Sequence, residues 1–283
     1  MNLPSGHEDD AGLVAELARH DVRARWVPWT GWEPVAGDPL VVLRSTWDYT
    51  SQRADFLQWV NSLSRVANPA DVVGWNTDKT YLRDLATAGV PTVPTVFAEP
   101  GAQVTVPDAP EIVVKPSVGA GSRGAGRFAR SAADAAVAHA QELQRAGRTA
   151  MIQPYLEGVD ADGETALLYF DGRFSHAIRK GPMLPADTAH ALHSYESFVP
   201  ETISARAPDA AQLDVGAAVI GALRDRFGAA PLYARIDLLP GAAGPVVVEV
   251  ELTEPSLFFG HAKPADDGST ALSTFAAAIA ARA

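Results

Sequence analysis

Between Tyr233 and Ser256 the chain reads YARIDLLPGAAGPVVVEVELTEPS, and this stretch constrains the fold more than any other. Two apolar runs are joined by Pro240, Gly241, Gly244 and Pro245, residues that supply turn chemistry. Side chains along a strand alternate faces with period two. Arg235 and Asp237 therefore share a face of the first strand, and Glu249 and Glu251 share a face of the second. Antiparallel pairing would bring three carboxylates and one guanidinium to a single patch. Leu238, Leu239, Val246, Val247, Val248 and Val250 make its surroundings apolar. Three close acids repel one another unless something neutralises them. A hard divalent cation with oxygen ligands does so, and Mg²⁺ is held by carboxylates together with substrate phosphate. The alternative is a solvated charged face on an exposed hairpin.

The rest of the chain alternates helical and strand patterns, which predicts an α/β (α+β) protein. Its 283 residues allow two or three domains. No apolar run approaches the ~18 residues of a membrane span, and no secretory signal opens the chain. The absence of cysteine excludes disulfides, thiolate catalysis and cysteine metal sites, and fits a cytoplasmic protein. A net charge of −11 argues against non-specific binding to nucleic acid or anionic membrane. It does not exclude a nucleotide in a locally basic pocket.

Residues 1–77 read as a small α/β domain. Helices are expected at 9–19, with Asp9 or Asp10 as cap, and at 52–64. Strands are expected at 22–28 and 39–44, and a strand or turn at 72–75. No strand precedes the first helix, although doubly wound units usually open with one, so a late start or a missing strand stays open. Arg44-Ser45-Thr46-Trp47-Asp48-Tyr49 follows the second strand. Open α/β sheets bind ligands outside the carboxyl ends of their strands. Arg44 suits a bidentate grip on a carboxylate, or it pairs with Asp48 while Trp47 packs into the loop.

Asp78-Lys79 opens a helix that runs to Ala88 and is closed by Gly89 and Pro91, with Asn76 or Thr77 as cap. A cation is unfavourable in a first helical turn. Lys79 is thus either solvated or turned toward an anion. Residues 111–116 form a strand ending in Lys115-Pro116, followed by the glycine loop Ser117 to Gly126. Gly119, Gly121 and Gly124 match G-x-G-x-x-G in form, but the fingerprint should open a helix directly. Here an extended segment comes next and a helix begins only near 132. A glycine loop between two strands can lay its N–H groups over phosphates, or it is an ordinary hairpin. Further elements are expected at 132–146 (helix), 151–156 and 163–170 (strands), 173–179 (return strand after Asp171-Gly172), 209–227 and 268–282 (helices). The polar loop 181–200 carries His193, Ser194, Tyr195 and Glu196, which either line a substrate site or are solvated. His190 and His193 alone make a poor metal site.

The order of these pieces resembles the ATP-grasp ligase superfamily over nearly the whole chain. The resemblance rests on Asp78-Lys79, Gly89-Val90-Pro91-Thr92-Val93-Pro94, Val114-Lys115-Pro116 with its glycine loop, Gln153-Pro154-Tyr155-Leu156, and Arg235-Ile236-Asp237 with Glu249-Val250-Glu251. Glu251 stands where the family usually has Asn. It keeps an oxygen ligand and adds a negative charge. The fold implied is a Rossmann-like pre-ATP-grasp domain at 1–77, a central lid subdomain at 78–152, and a catalytic, metal-binding subdomain at 153–283. Lys79 and Lys115 would contact ATP phosphates under the loop Ser117, Gly119, Gly121 and Ser122. Gln153, Tyr155 and Leu156 would read adenine, and Asp160 or Glu164 would bind ribose. Asp237, Glu249 and Glu251 would hold Mg²⁺, expected as two ions with Mn²⁺ as an alternative. Arg179, Lys180 and Arg235 would face the transferred phosphoryl group.

Within the superfamily the chain is similar to the glutathione-synthetase-like group, which includes a cyclo-ligase forming cycloserine from O-ureido-serine. That similarity rests on Arg44 to Tyr49, on Trp75 to Lys79, and on Glu249 to Glu251 leading to Glu254-Pro255-Ser256. It implies a small amino-acid-like substrate near Arg44, Ser45, Asp48 and Ser256, with a homodimer as an open expectation. Three readings follow: ATP-dependent ring closure, an intermolecular carboxylate–amine ligase, and a non-catalytic nucleotide-binding protein.

Overall fold

A computed structural model describes residues 6–32, 38–182, 184 and 202–283. The chain opens with a 3₁₀ turn at Glu8–Asp10 and helix α1 (Leu13–Ala18). Strands β1 (Val41–Val42) and β2 (Val66–Ala67) pair in parallel, with helix α2 (Arg53–Ser62) between them in sequence. Helices α3 (Ala70–Asn76) and α4 (Leu82–Thr87) lead into β3 (Val96–Ala98). With β4 (Glu111–Pro116), β5 (Gly126–Ala129) and β6 (Ala150–Pro154) this strand forms a sheet of order β3-β6-β4-β5. Helix α5 (Ala133–Arg145) covers it, setting Ala136, Ala140 and Leu143 against Ile112, Val114, Phe128 and Ile152.

The second large sheet follows the short helix α6 (Gly158–Asp162). It comprises β7 (Glu164–Phe170), β8 (Arg173–Lys180), β9 (Ile203–Arg206), β10 (Tyr233–Gly241) and β11 (Gly244–Glu251), in the order β11-β10-β7-β8-β9. Helix α7 (Ala210–Phe227) packs on one face through Val215, Val219, Ile220 and Leu223. Gly216 permits that approach, because a Cβ there would lie 2.7 Å from Leu167 Cδ1. Helix α8 (Ala271–Ala280) covers part of the other face with α1, through Phe275, Ile279, Leu13 and Leu17 against Leu168, Phe170 and Tyr233. Segment 91–93 lies along the outer edge of β11, where Val93 N donates to Val247 O at 3.0 Å and Val247 N donates to Pro91 O at 2.8 Å.

Four expectations need correction. Residues 22–28 form no strand, although Val22, Ala24 and Trp26 turn toward the core while Arg23 and Arg25 are exposed. The alternation there is set by burial and not by a hydrogen-bond ladder. Residues 72–75 are helical, because Val72 and Val73 face two different cores and so show no helical spacing. The first helix is shorter than 9–19, and Asp9 and Asp10 do not cap it. At 79 the cap is Asp78, which accepts from Thr80 N, while Asn76 and Thr77 are engaged elsewhere. Elements β2, β3, β9 and α6 are too short to show periodicity in the sequence. Most of the polar loop 181–200, with its His, Ser, Tyr and Glu candidates, lies outside the described residues.

Candidate active site

The pairing of β10 with β11 sets Asp237 opposite Glu249 and Arg235 opposite Glu251. Carboxylate oxygens of Asp237, Glu249 and Glu251 lie within 4.8 Å of one another. The neighbouring strand β7 brings Glu164 to the same face, because Ala166 is opposite Asp237 and Glu164 is opposite Lys180. Lys180 Nζ lies 2.5 Å from Glu164 and 2.6 Å from Asp237. Arg235 reaches Asp237 at 2.9 Å and also contacts Glu251. Lys79 Nζ is 3.1 Å from Glu249 and donates to Gly119 O at 2.6 Å. The acids are thus interleaved with three cations drawn from separate elements.

Electrostatics divide these acids. Burial pushes Glu164 and Glu251 up to about 7, despite the opposing pull of Lys180 on the first and Arg235 on the second. Burial also acts against ionised Asp237, but Arg235 and Lys180 outweigh it and hold its carboxyl well below the usual range. Burial would lower Lys79, yet Glu249 holds it above the ordinary lysine value. At Lys115 burial prevails over Glu249, and the ammonium is pushed down with help from Lys79. The donor set is all oxygen, without imidazole or thiolate, which fits a hard cation such as Mg²⁺.

The glycine loop joins β4 to β5, which pair antiparallel with Val114 opposite Gly126. Gly121, Ser122 and Gly124 take left-handed backbone angles, with φ of 62°, 57° and 74°. Lys79 N donates to Ser117 O at 2.8 Å, so the start of the loop is moored beside the phosphate-facing lysine candidate. Ser117 is buried. On β6, Gln153 Nε2 donates one of its two N–H groups to Thr95 Oγ1 at 2.8 Å, and just past the strand the Tyr155 N–H is bonded to Glu111 O at 2.9 Å. Leu156 is half-buried.

Several candidates stand apart from the cluster. Arg44 does not offer a free fork and does not pair with Asp48. It is buried against Asp10 at 2.8 Å and donates to Pro255 O at 2.7 Å, while Asp48 accepts from Trp29 Nε1 at 2.9 Å. Ser45, at φ 55°, points its hydroxyl toward Asp10 at 3.4 Å, and Ser256 is half-buried on the loop that Arg44 braces. Arg179 falls on the opposite face of β8 from Lys180 and donates to the carbonyls of Asp162 and Ala161 at 2.8 and 3.1 Å. Of the two ribose candidates, Glu164 joins the cluster. Asp160 instead accepts from Tyr155 at 2.5 Å and pairs with Arg127 at 3.3 Å.

Two residues at the site went unassigned from sequence. Tyr49 and Glu254 are both buried, and Glu254 stands close enough to Glu251, Lys79 and Glu249 to interact electrostatically with each. Burial raises the Tyr49 phenol far above its usual range, and Glu254, Glu251 and Glu249 raise it further. Both lay inside stretches already singled out, at the end of Arg44–Tyr49 and just past Glu251. Asn76 and Tyr81 hold β11 in place: Tyr81 Oη accepts from Val250 N and donates to Val250 O, each at 2.8 Å, and Asn76 Oδ1 accepts from Leu252 N at 2.7 Å.

A family model described as the N-terminal domain of D-cycloserine synthetase DcsG matches residues 1–68. The cycloserine biosynthesis protein DcsG of Streptomyces lavendulae is 39% identical over 264 residues, spanning 87% of this chain and 83% of that protein. The crystal structure of D-cycloserine synthetase DcsG superposes with a TM-score of 0.84 at 34% identity, over 97% of this chain and 94% of that one. A RimK domain ATP-grasp protein from Sphaerobacter thermophilus superposes with a TM-score of 0.62 at 18% identity, over 97% and 95% of the two chains, and shares the fold. Two antiparallel sheets with a lysine-flanked glycine loop and an acidic strand pair, together with the superposition, define an ATP-grasp ligase, an ATP-dependent enzyme. The identity and coverage go further: the chain belongs to the DcsG family. No helix among the described residues is long and apolar enough to cross a membrane.

Proposed function

We propose that this enzyme closes O-ureido-serine to cycloserine, through an acyl phosphate formed on the substrate carboxylate at the expense of ATP. The register that puts Asp237 against Glu249 and Arg235 against Glu251 carries the activation step. The 39% identity to a cycloserine biosynthesis protein supports the substrate. Asp237, Glu249 and Glu251 would hold Mg²⁺, one ion or two, which neutralises charge on the phosphoryl group in transfer. Lys79 and Lys115 would bind phosphate oxygens under the glycine loop, and Arg235 and Lys180 would orient the acceptor carboxylate. With both partners fixed in a dry site, most of the catalysis is positioning and charge stabilisation. The substrate's own ureido nitrogen then attacks the acyl carbon, forming the C–N bond as phosphate leaves, and water afterwards cleaves the carbamoyl group from that nitrogen, releasing it as CO₂ and ammonia. A closed loop would keep water from the acyl phosphate.

The test is ADP release by the purified enzyme with ATP, Mg²⁺ and O-ureido-D-serine, with product identified by mass spectrometry. Mg²⁺-dependent ADP together with cycloserine is the expected result. ADP release only when a separate amine is supplied would replace ring closure by intermolecular ligation.

A further inference from the structure

The segment Leu252–Phe258 leaves β11 and is tied down on nearly every side. Asn68 donates to Leu252 O at 2.8 Å, Asn76 accepts from Leu252 N at 2.7 Å, and the Tyr233 hydroxyl donates to Thr253 O at 2.8 Å. Arg44 donates to Pro255 O at 2.7 Å, and Asp9 accepts from Leu257 N at 2.6 Å and Phe258 N at 3.0 Å. His176 Nε2 meets Leu257 O at 2.9 Å. All of these bonds hold backbone groups, and at their centre is Glu254, only 5% exposed. Among the described residues no donor reaches its carboxylate. Its charged neighbours are those of the active site, with Glu251 and Glu249 repelling it and Lys79 and Arg235 attracting it. Tyr49, stacked on Phe56 at 4.9 Å, is buried within electrostatic reach of Glu254, and its hydroxyl likewise makes no hydrogen bond to the other described residues.

Burial pushes the Glu254 carboxyl well above the usual range, so the site by itself favours its neutral form, and a bound cation would supply the partner that stabilises the carboxylate. A metal ion is a poor match, because the oxygens that converge within 4.8 Å belong to Asp237, Glu249 and Glu251 and not to Glu254. A compact cation with several N–H donors suits a carboxylate beside a hydroxyl. We infer that Glu254, with Tyr49 beside it, receives the α-ammonium group of the amino-acid substrate and so selects α-amino acids over plain carboxylic acids. The inference rests on the reading that an amino-acid carboxylate is activated at this site. It also has a chemical consequence. An ammonium has no lone pair, so a nitrogen held this way cannot compete for the acyl phosphate, and the attack is left to the other nitrogen.

Wild type and Glu254→Gln are compared with O-ureido-D-serine and with 3-(ureidooxy)propanoate, which lacks only the α-amino group. ADP release is measured at saturating ATP. Binding of both compounds is measured by calorimetry on protein loaded with Mg²⁺ and a non-hydrolysable ATP analogue. Wild type should favour the amino compound roughly 30-fold or more, the scale set by losing one partner of a buried charge pair. Glu254→Gln should lose that preference while KM for ATP and the Mg²⁺ midpoint stay put. Glu254→Asp, which keeps the charge, should recover part of the preference, and its recovery separates lost recognition from lost folding. Retained preference in Glu254→Gln overturns the inference, as does a shifted Mg²⁺ midpoint, which would make Glu254 a metal group. Failure of the activation reading looks different. Wild type would then release no ADP from either compound, yet the calorimetric preference would still depend on Glu254. Equal binding of the two compounds by wild type overturns the Glu254 assignment itself.

Discussion

Asp237 is the residue on which most of the site's charge balance converges. It accepts from Arg235 at 2.9 Å and Lys180 at 2.6 Å while almost fully buried. Asp237→Asn keeps the shape and removes the charge, leaving two buried cations short of a counter-ion. Removing one partner of a buried pair costs roughly 3–5 kcal/mol. Urea unfolding should show a loss of that size, and ADP release should fall at least ~100-fold, the scale of one lost charge-stabilising group. A variant with full ADP release would place the metal and phosphate elsewhere. These residues were legible because the charges interrupt otherwise apolar strands with period two. Their partners were less so. Lys180 and Arg179 are neighbours in sequence, yet adjacent strand residues face opposite ways, and only Lys180 joins the cluster.

At the scale of elements, the same face of the five-stranded sheet carries both the site and its scaffold. Tyr233 at the start of β10 has its hydroxyl near Leu43 O at 3.0 Å, Ala67 O at 3.2 Å and Thr253 O at 2.8 Å. Three carbonyls converge on this one hydroxyl, whose single proton reaches the Thr253 oxygen at the shortest distance. Tyr233→Phe should cost about 1–3 kcal/mol in urea unfolding, the price of buried acceptors left unmet. Strand β8 adds a pH-sensitive tie through His176, which sits against Leu257 O and Ser175, with Asp9 and His261 as its charged or titratable neighbours. Burial holds this imidazole below its ordinary value. The unfolded chain therefore takes the proton at higher pH than the fold does. This group's contribution to stability is complete above about 6.5 and is lost as pH falls from there toward the lower folded value. Glu164 and Glu251, pushed up to about 7 in the fold, add stability over the same fall in pH, so His176 is read from a difference: between about pH 8 and pH 5 the urea midpoint of wild type should move downward relative to that of His176→Gln. Equal slopes for the two proteins would remove His176 from the account. Long elements with clear punctuation were readable from sequence. Helix α7 carries a capping box at Asp209 and Gln212 and stops at left-handed Gly228, and the β7–β8 turn uses Asp171 and Gly172 at φ 51° and 71°. Helix α3 was not readable, because a helix wedged between two cores is apolar on both sides and loses its period.

Across the whole molecule, the N-terminal region meets the active site through Arg44. The sequence leaves the role of this residue between a substrate grip and a pair with Asp48. Neither reading foresaw Asp10, which is 34 residues away in the chain, because long-range pairing leaves no local pattern. The buried Asp10–Arg44–Pro255 relay braces the loop that carries Glu254 and Ser256. The roles are separable by experiment. If Arg44 gripped the substrate carboxylate, Arg44→Ala would raise KM sharply while Asp10→Asn left it nearly unchanged. If Arg44 acts as a brace, both variants orphan the same buried pair. Each should then cost roughly 3–5 kcal/mol of stability. Each should also raise KM for the amino-acid substrate by a similar factor, with KM for ATP little changed, because the glycine loop and Lys79 lie outside the relay. The double variant supplies the decisive arm. Two residues acting through one pair are not additive, so Arg44→Ala combined with Asp10→Asn should be no worse than the more damaging single change. Summed effects in the double variant would show that Arg44 has a second partner in the site beyond Asp10 and Pro255.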